Sequence, residues 1–133
     1  MDVERSPALE ESDAVFRRQG SGEVESDGAG GLAWVTIEPI DVTIRLRAAA
    51  ANATLHTPGA SSWSAANQDQ LAMILADAPS LDYVDIPTAR DQAAGTLIAV
   101  SGDGNDVLIR LTGSNTAVSS AGTTVTLTAS VRR

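Results

Sequence analysis

Most of the chain alternates apolar and polar residues with the period of two that is typical of half-buried β-strands. The clearest case is residues 123–131, in which Thr and Ser on one face alternate with Val125, Leu127, Ala129 and Val131 on the other. Comparable patterns predict strands at 32–37, 42–46, 52–57, 83–86, 96–101 and 107–112. Pro39 is expected to interrupt the sheet after the first of these runs. The glycines and acidic residues of 102–106 lie between two runs and predict a hairpin.

One stretch has a helical period instead. Its apolar positions recur at i, i+3, i+4 and i+7 and are Leu71, Ile74, Leu75 and Ala78. Asn67 or Ser64 can cap the first turn, and Asn67 with Gln70 resembles a capping box. Pro79 ends the helix because its ring cannot continue the hydrogen-bond ladder. We therefore predict one helix packed on the sheet.

These patterns predict a mainly β fold. About six strands and one helix, without the alternation of a parallel α/β protein, favour an antiparallel sandwich or barrel. We place this body domain at residues 32–133. The glycine-, serine- and acid-rich composition of residues 19–31 is that of a linker, so residues 1–31 are predicted to form a flexible, extended, acidic N-terminal arm.

The arm carries its own helix signals at residues 7–18. Ser6 can cap its start, and Pro7 suits the first helical position. Its apolar stripe is thin and consists of Leu9, Val15 and Phe16. A helix of this length with so little to bury is marginal alone in water. We therefore expect the arm to gain order on a partner protein, through those three residues.

Composition excludes several classes of function. The formal net charge is −8 and the chain contains no lysine, which argues against nucleic-acid binding because phosphates require a basic surface. The absence of cysteine excludes disulfides and Cys-based zinc sites. No apolar run approaches the roughly 20 residues of a membrane span, and no secretory signal is visible at the first residues. Only four aromatic residues occur, so the core must be aliphatic and contacts between subunits of a homo-oligomer are expected to add stability.

Candidate chemistry is sparse. His56 is the only histidine, and catalysis would require that a hydroxyl and a carboxylate meet it in one pocket. The oxygens of Asp103–Asp106 suit either a turn or a calcium ion. Asp82, Asp85 and Asp91 suit a solvated loop better than a carboxylate pair for glycan hydrolysis. We therefore predict no catalytic residue, no metal and no cofactor, and expect that the chain is not an enzyme.

Trp63 is the remaining candidate for contact with a partner. It lies in the polar stretch 61–64, just before the predicted helix. A tryptophan there either packs against the helix or stays exposed as an interface anchor or a platform for a sugar. Both interpretations remain open from the sequence.

The layout of an acidic arm followed by a small β body with a Thr- and Ser-rich face resembles the accessory structural proteins of tailed-virus particles. The resemblance is to capsid decoration (cement) proteins, and it is one of layout and composition rather than of a motif. It implies a virion protein that binds a major capsid or other virion subunit through its arm and stabilises the shell. The alternative is a non-catalytic carbohydrate-binding or adhesive β module.

Overall fold

The computed structural model describes residues 8–28, 34–40, 42–87, 94–102, 105–120 and 122–133. Within these ranges the chain forms antiparallel strands, one α-helix and one 3-10 turn. The strands are β1 (Glu11–Gln19), β2 (Glu25–Gly28), β3 (Val35–Ile40), β4 (Thr43–Ala48), β5 (Thr54–His56), β6 (Ser80–Leu81), β7 (Val84–Pro87), β8 (Leu97–Gly102), β9 (Asn105–Ser119) and β10 (Gly122–Arg132). The 3-10 turn spans Ala60–Ser64, and the helix α1 spans Gln68–Asp77.

The strands form two sheets. The larger has seven strands in the order β2-β1-β10-β9-β8-β5-β6, and the smaller has three in the order β3-β4-β7. All neighbouring strands pair antiparallel. The prediction of a mainly β, antiparallel fold with one helix is therefore confirmed.

The main core lies between the two sheets. It contains apolar residues from both, and its largest fully buried members include Phe16, Ile37, Ile44, Leu46, Leu55, Ile86, Ile98, Ile109, Leu111 and Leu127. The inward face predicted for β10 is confirmed, because Val125, Leu127, Ala129 and Val131 are all buried. A core enclosed by a large and a small antiparallel sheet agrees with the predicted sandwich or barrel.

A second apolar cluster covers part of the opposite face of the large sheet. Helix α1 packs there through Leu71 and Leu75, against Ala99 of β8 and Leu108 of β9. Strand β8 is consequently buried on both faces, since Ile98, next to Ala99, belongs to the main core. Burial on both faces explains why residues 97–100 read as a continuous apolar run rather than an alternation.

Both ends of helix α1 agree with the prediction, since it begins after one of the two candidate caps and stops before Pro79. Asn67 is the N-cap, and its side-chain oxygen accepts a hydrogen bond from the Gln70 backbone N–H at 2.9 Å. The Gln70 side chain in turn accepts from the Ala66 N–H at 2.6 Å, one residue before the position of a regular capping box. Helix α1 stops at Asp77, two residues before Pro79.

The prediction of an N-terminal arm separate from the body is wrong for the described residues of this segment. Residues 11–19 form strand β1 instead of the predicted helix at 7–18, and they pair along their whole length with β10. Residues 25–28 form β2, which pairs with β1, so position 31 is not a domain boundary. The helix signals were misleading because Ala14 and Phe16 also fit a period of two, and packing against the sheet overrides local propensity.

Two details of the small sheet also differ from expectation. Pro39 does not interrupt β3 but lies within it, opposite Ile44. Strand β3 is an edge strand, where the missing N–H of proline leaves no gap in a ladder. Val42 belongs to a run predicted as a strand, yet it lies before β4 and is 74% exposed.

Candidate functional site

The N-terminal residues predicted to contact a partner are mostly used inside the chain itself. Phe16 is fully buried in the main core, and its ring meets that of Trp34 edge-on with centroids 6.4 Å apart. Leu9 is 8% exposed and belongs to the cluster under α1. Val15 lies on the other face of β1 and is half-buried. The structure therefore corrects the expectation for Leu9 and Phe16, because their side chains are not presented to a partner.

Trp63 lies in the 3-10 turn and combines the two interpretations that its sequence left open. Its half-buried ring packs against the cluster of Leu71 and Leu75. The Arg110 guanidinium lies over the ring at 4.4 Å from its centroid, and the Arg132 guanidinium lies at 5.6 Å. The backbone oxygen of Trp63 also accepts a hydrogen bond from Nη1 of Arg132. A sugar would have to compete with these guanidinium groups, so the structure does not favour a free stacking platform.

His56 meets a hydroxyl and lies near a carboxylate. It is buried on β5, and its Nε2 lies 2.8 Å from Oγ of Ser101 on the neighbouring strand β8. The strand register pairs Ser101 with Thr54 on one side and with Asp106 on the other. All four side chains line one groove beside α1. These are the residue types that the sequence analysis required for catalysis.

Their order, however, differs from that of a catalytic triad. In a triad the histidine lies between the hydroxyl and the carboxylate, which orients the ring through Nδ1. Here the sheet register places Ser101 between β5 and Asp106, and Nδ1 of His56 is buried without a hydrogen-bond partner among the described residues. Burial raises the pKa of the Asp106 carboxyl, and the nearby His56 opposes that rise. The geometry therefore supplies a polar link between strands rather than an oriented base.

The acidic candidates do not converge. Asp85 receives two hydrogen bonds from Arg45, at 2.8 and 3.0 Å, and these lower the pKa of the carboxyl and raise that of the guanidinium. Arg45 also lies 3.8 Å from the centroid of the Tyr83 ring. Asp82 is exposed, while Asp91 and Asp103 lie outside the described residues. Within the ranges described above, no group of three or more His, Cys, Asp or Glu side chains could hold a metal ion.

A different surface stands out at the long hairpin of β9 and β10. Strand β9 pairs with β8 only through residues 105–110, and backbone hydrogen bonds join Leu111 to Gly95 and Thr96. Beyond Leu111, no described strand pairs with the outer edge of β9, although β10 continues on its inner side. We call residues 112–118 the β9 edge. Its sequence, TGSNTAV, contains neither a charge nor a proline. This composition is the one feature of the sequence that could have indicated an unprotected strand edge.

Comparisons with models of known protein families, with curated proteins and with solved structures find no match. No helix in the described part of the chain has the length and apolar character needed to cross a membrane.

Proposed function

We propose that this chain is a structural assembly protein that self-associates through the β9 edge. The observation that carries the proposal is the run of backbone on the outer side of residues 112–118 that no described strand covers. The virion shell remains the proposed setting, on the part of the resemblance that concerns composition and a small β body with a Thr- and Ser-rich face. The contact surface differs from the one expected from the sequence, because the described N-terminal residues are part of the fold.

An uncovered edge is a ready site for strand addition. Alternate residues along it direct backbone N–H and C=O groups away from the sheet, and another strand satisfies them by extending the ladder. Soluble proteins usually guard such edges with lysine, proline or inward charges. The β9 edge has none of these, and its only irregularity is a bulge at its base, opposite Thr128 and Ala129.

The occupant that fits best is a second copy of the chain. With a net charge of −8, two copies repel each other over most of their surface, but the β9 edge contributes no charge to that repulsion. Antiparallel pairing about a two-fold axis would place Asn115 opposite Asn115 and Val118 opposite Thr112. It would also cover part of Val118, which is 80% exposed. Such a self-complementary contact closes after two copies.

Sedimentation equilibrium of the purified chain tests the proposal. Stable interfaces bury about 1,200–2,000 Å². A pair of seven-residue edges buries less than this, so we expect a dimer with a dissociation constant of about 1–100 µM. Val118→Lys should shift the chain to monomer because lysine guards strand edges. Asn115→Lys should do so more strongly, because it places two like charges opposite each other at the two-fold axis.

The chain offers a matched control. Val42→Lys makes the same change at a valine that is 74% exposed and precedes β4 of the small sheet, whereas β9 belongs to the large sheet. This variant should dimerise like the unmodified chain. A chain that is monomeric up to about 1 mM, or a dimer that Val118→Lys and Asn115→Lys leave intact, would refute assembly through this edge.

The virion setting needs its own test. The chain should be recovered with purified particles of the virus that encodes it, and Val118→Lys should reduce that recovery while Val42→Lys does not. Absence from the particles would remove the virion part of the proposal and leave the self-association to be judged by sedimentation.

A further inference from the structure

Two arginines converge on Trp63 without an acidic partner among the described residues. The guanidinium groups of Arg110 and Arg132 both lie within cation–π range of the indole. Their positions are diagonal on adjacent strands, because Arg110 pairs with Ser130 and Arg132 pairs with Leu108. All three side chains are half-buried. We call this group the Trp63 cluster.

No described residue neutralises the charges of the cluster by an ion pair. Among the described residues, Arg45 forms a salt bridge with Asp85, whereas neither arginine of the Trp63 cluster forms one. Glu11 and Asp13 on β1 are the nearest acidic positions by register, opposite Arg132 and Ser130. Both are exposed, and their carboxylates make no ion pair with the cluster. Two partly desolvated cations close together are unfavourable unless an anion joins them.

We propose that the Trp63 cluster binds an oxyanion, either a phosphate or a carboxylate. Arginine is suited to this role because its planar donors match the oxygens of such groups, often in pairs. Nη1 of Arg132 donates a hydrogen bond to the backbone oxygen of Trp63, and this bond holds the guanidinium beside the ring. Arg110 forms no hydrogen bond to a described residue, and we expect its guanidinium donors to meet the ligand. The indole holds both groups on one face of the large sheet.

Tryptophan fluorescence can report binding directly. The chain has two tryptophans, so Trp34→Phe leaves Trp63 as the only one. We would titrate this variant with inorganic phosphate at constant ionic strength, with sodium chloride as the counter-series, and repeat the titration with citrate as a carboxylate probe. We expect a saturable change with a dissociation constant of about 1 mM. The melting temperature of the unmodified chain should rise with phosphate and not with chloride.

Variants localise the effect. Arg110→Gln should weaken binding at least about tenfold, which corresponds to about 1.4 kcal/mol. Arg110→Lys, which keeps the charge but loses the planar donors, should weaken it less. Arg47→Gln is the matched control, because Arg47 lies near the ring of Tyr83, 5.4 Å from its centroid, on the small sheet. Should Arg110→Gln fail to fold, as judged by circular dichroism, Arg132→Gln replaces it.

Three results would overturn the proposal. The first is no saturable response to either anion up to about 50 mM, well above the expected dissociation constant. The second is an equal response to chloride, which would indicate general screening of charge. The third is binding that Arg110→Gln and Arg47→Gln weaken equally. Saturation by phosphate but not citrate, or the reverse, supports the site and identifies which oxyanion it takes.

Discussion

Replacing Phe16 by alanine separates the fold described above from the arm expected from the sequence. If residues 7–18 were a tethered arm, the substitution would leave the stability of a lone chain unchanged. In the structure, Phe16 lies on β1 in the main core, fully buried and in contact with Trp34. The two pictures therefore predict very different free energies of unfolding.

The expected loss can be estimated from three contributions. Burial of a phenylalanine side chain is worth about 1.5–3 kcal/mol in transfer from water. The edge-on contact with Trp34 adds about 0.5–1.5 kcal/mol. The cavity left between two packed sheets adds to both, and Phe→Ala substitutions in cores typically cost about 3–5 kcal/mol in total. Since small domains have about 5–15 kcal/mol of stability, the variant should fold but unfold at clearly lower denaturant concentration.

Urea unfolding followed by tryptophan fluorescence measures this loss, because Trp34 is in contact with the mutated position. Phe16→Leu keeps most of the volume and should cost less than about 2 kcal/mol, which gives a usable variant if Phe16→Ala does not fold. Val15→Ala, at the half-buried neighbour on the opposite face, should cost about 1 kcal/mol or less. A loss below about 1 kcal/mol for Phe16→Ala, measured at low protein concentration, would refute the packing of β1 on this sheet.

Two further substitutions test local features by the same unfolding assay. Asn67→Ala removes the acceptor for the Gln70 N–H and should cost about 1 kcal/mol, so an unchanged midpoint would contradict the cap. Asp106→Asn should stabilise the chain at pH 7, because burial raises the pKa of this carboxyl and the folded state therefore disfavours its charged form. Protonated Asp106 stabilises the folded chain fully below the unfolded pKa of 3.8, and this stabilisation is lost as the pH rises through the higher folded pKa. The advantage of asparagine should therefore disappear below about pH 4. The Asp106 side chain is only partly buried, so solvent screening should keep the gain below about 0.5 kcal/mol, and exposed Asp82→Asn is the control.

The body of the fold was predictable because its strands either alternate apolar and polar residues or, like β8, form a short continuous apolar run. The seven strand runs found from the sequence correspond to β3, β4, β5, β7, β8, β9 and β10. The helix was predictable down to its Asn67 cap, because caps and breakers act over a few residues. The strands that the sequence did not predict depend on pairing with distant parts of the chain. Strand β6 is only two residues long, and β2 is acidic and rich in small residues, so neither carries an apolar pattern of its own.

The N-terminal misprediction has a specific physical cause. The stretch from Ser6 to Arg18 has the N-cap and the first-turn proline of a helix. Nothing within it reveals that β10 offers an unpaired edge more than 100 residues later in the chain. The cross-strand partner of Phe16 is Leu127, at the centre of the Thr-rich strand. Long-range pairing of this kind decides the conformation of a segment that is marginal by itself.

The same limitation applies to the candidate surfaces. Neighbouring positions in a sheet are distant in sequence, so the approach of Arg110 and Arg132 to Trp63 could not be read from spacing. The meeting of His56 with Ser101 depends equally on the pairing of β5 with β8. The β9 edge was missed because the predicted strand ended at Thr112, whereas glycine and small polar residues continue it to Ser119.

The position of the β9 edge follows from how the two layers end. At the base of the hairpin, strand β9 is held on both faces, by the small sheet through Ile109 and by α1 through Leu108. Above Leu111, β10 continues beside β9, and β1 continues on the other side of β10, while β8 does not extend this far. The β9 edge is thus the extension of a strand whose first half is buried in two cores. Its backbone is already ordered by pairing with β10 in the free chain. A preorganised edge loses little conformational entropy on pairing, which is the condition under which a short contact without large apolar side chains can still associate.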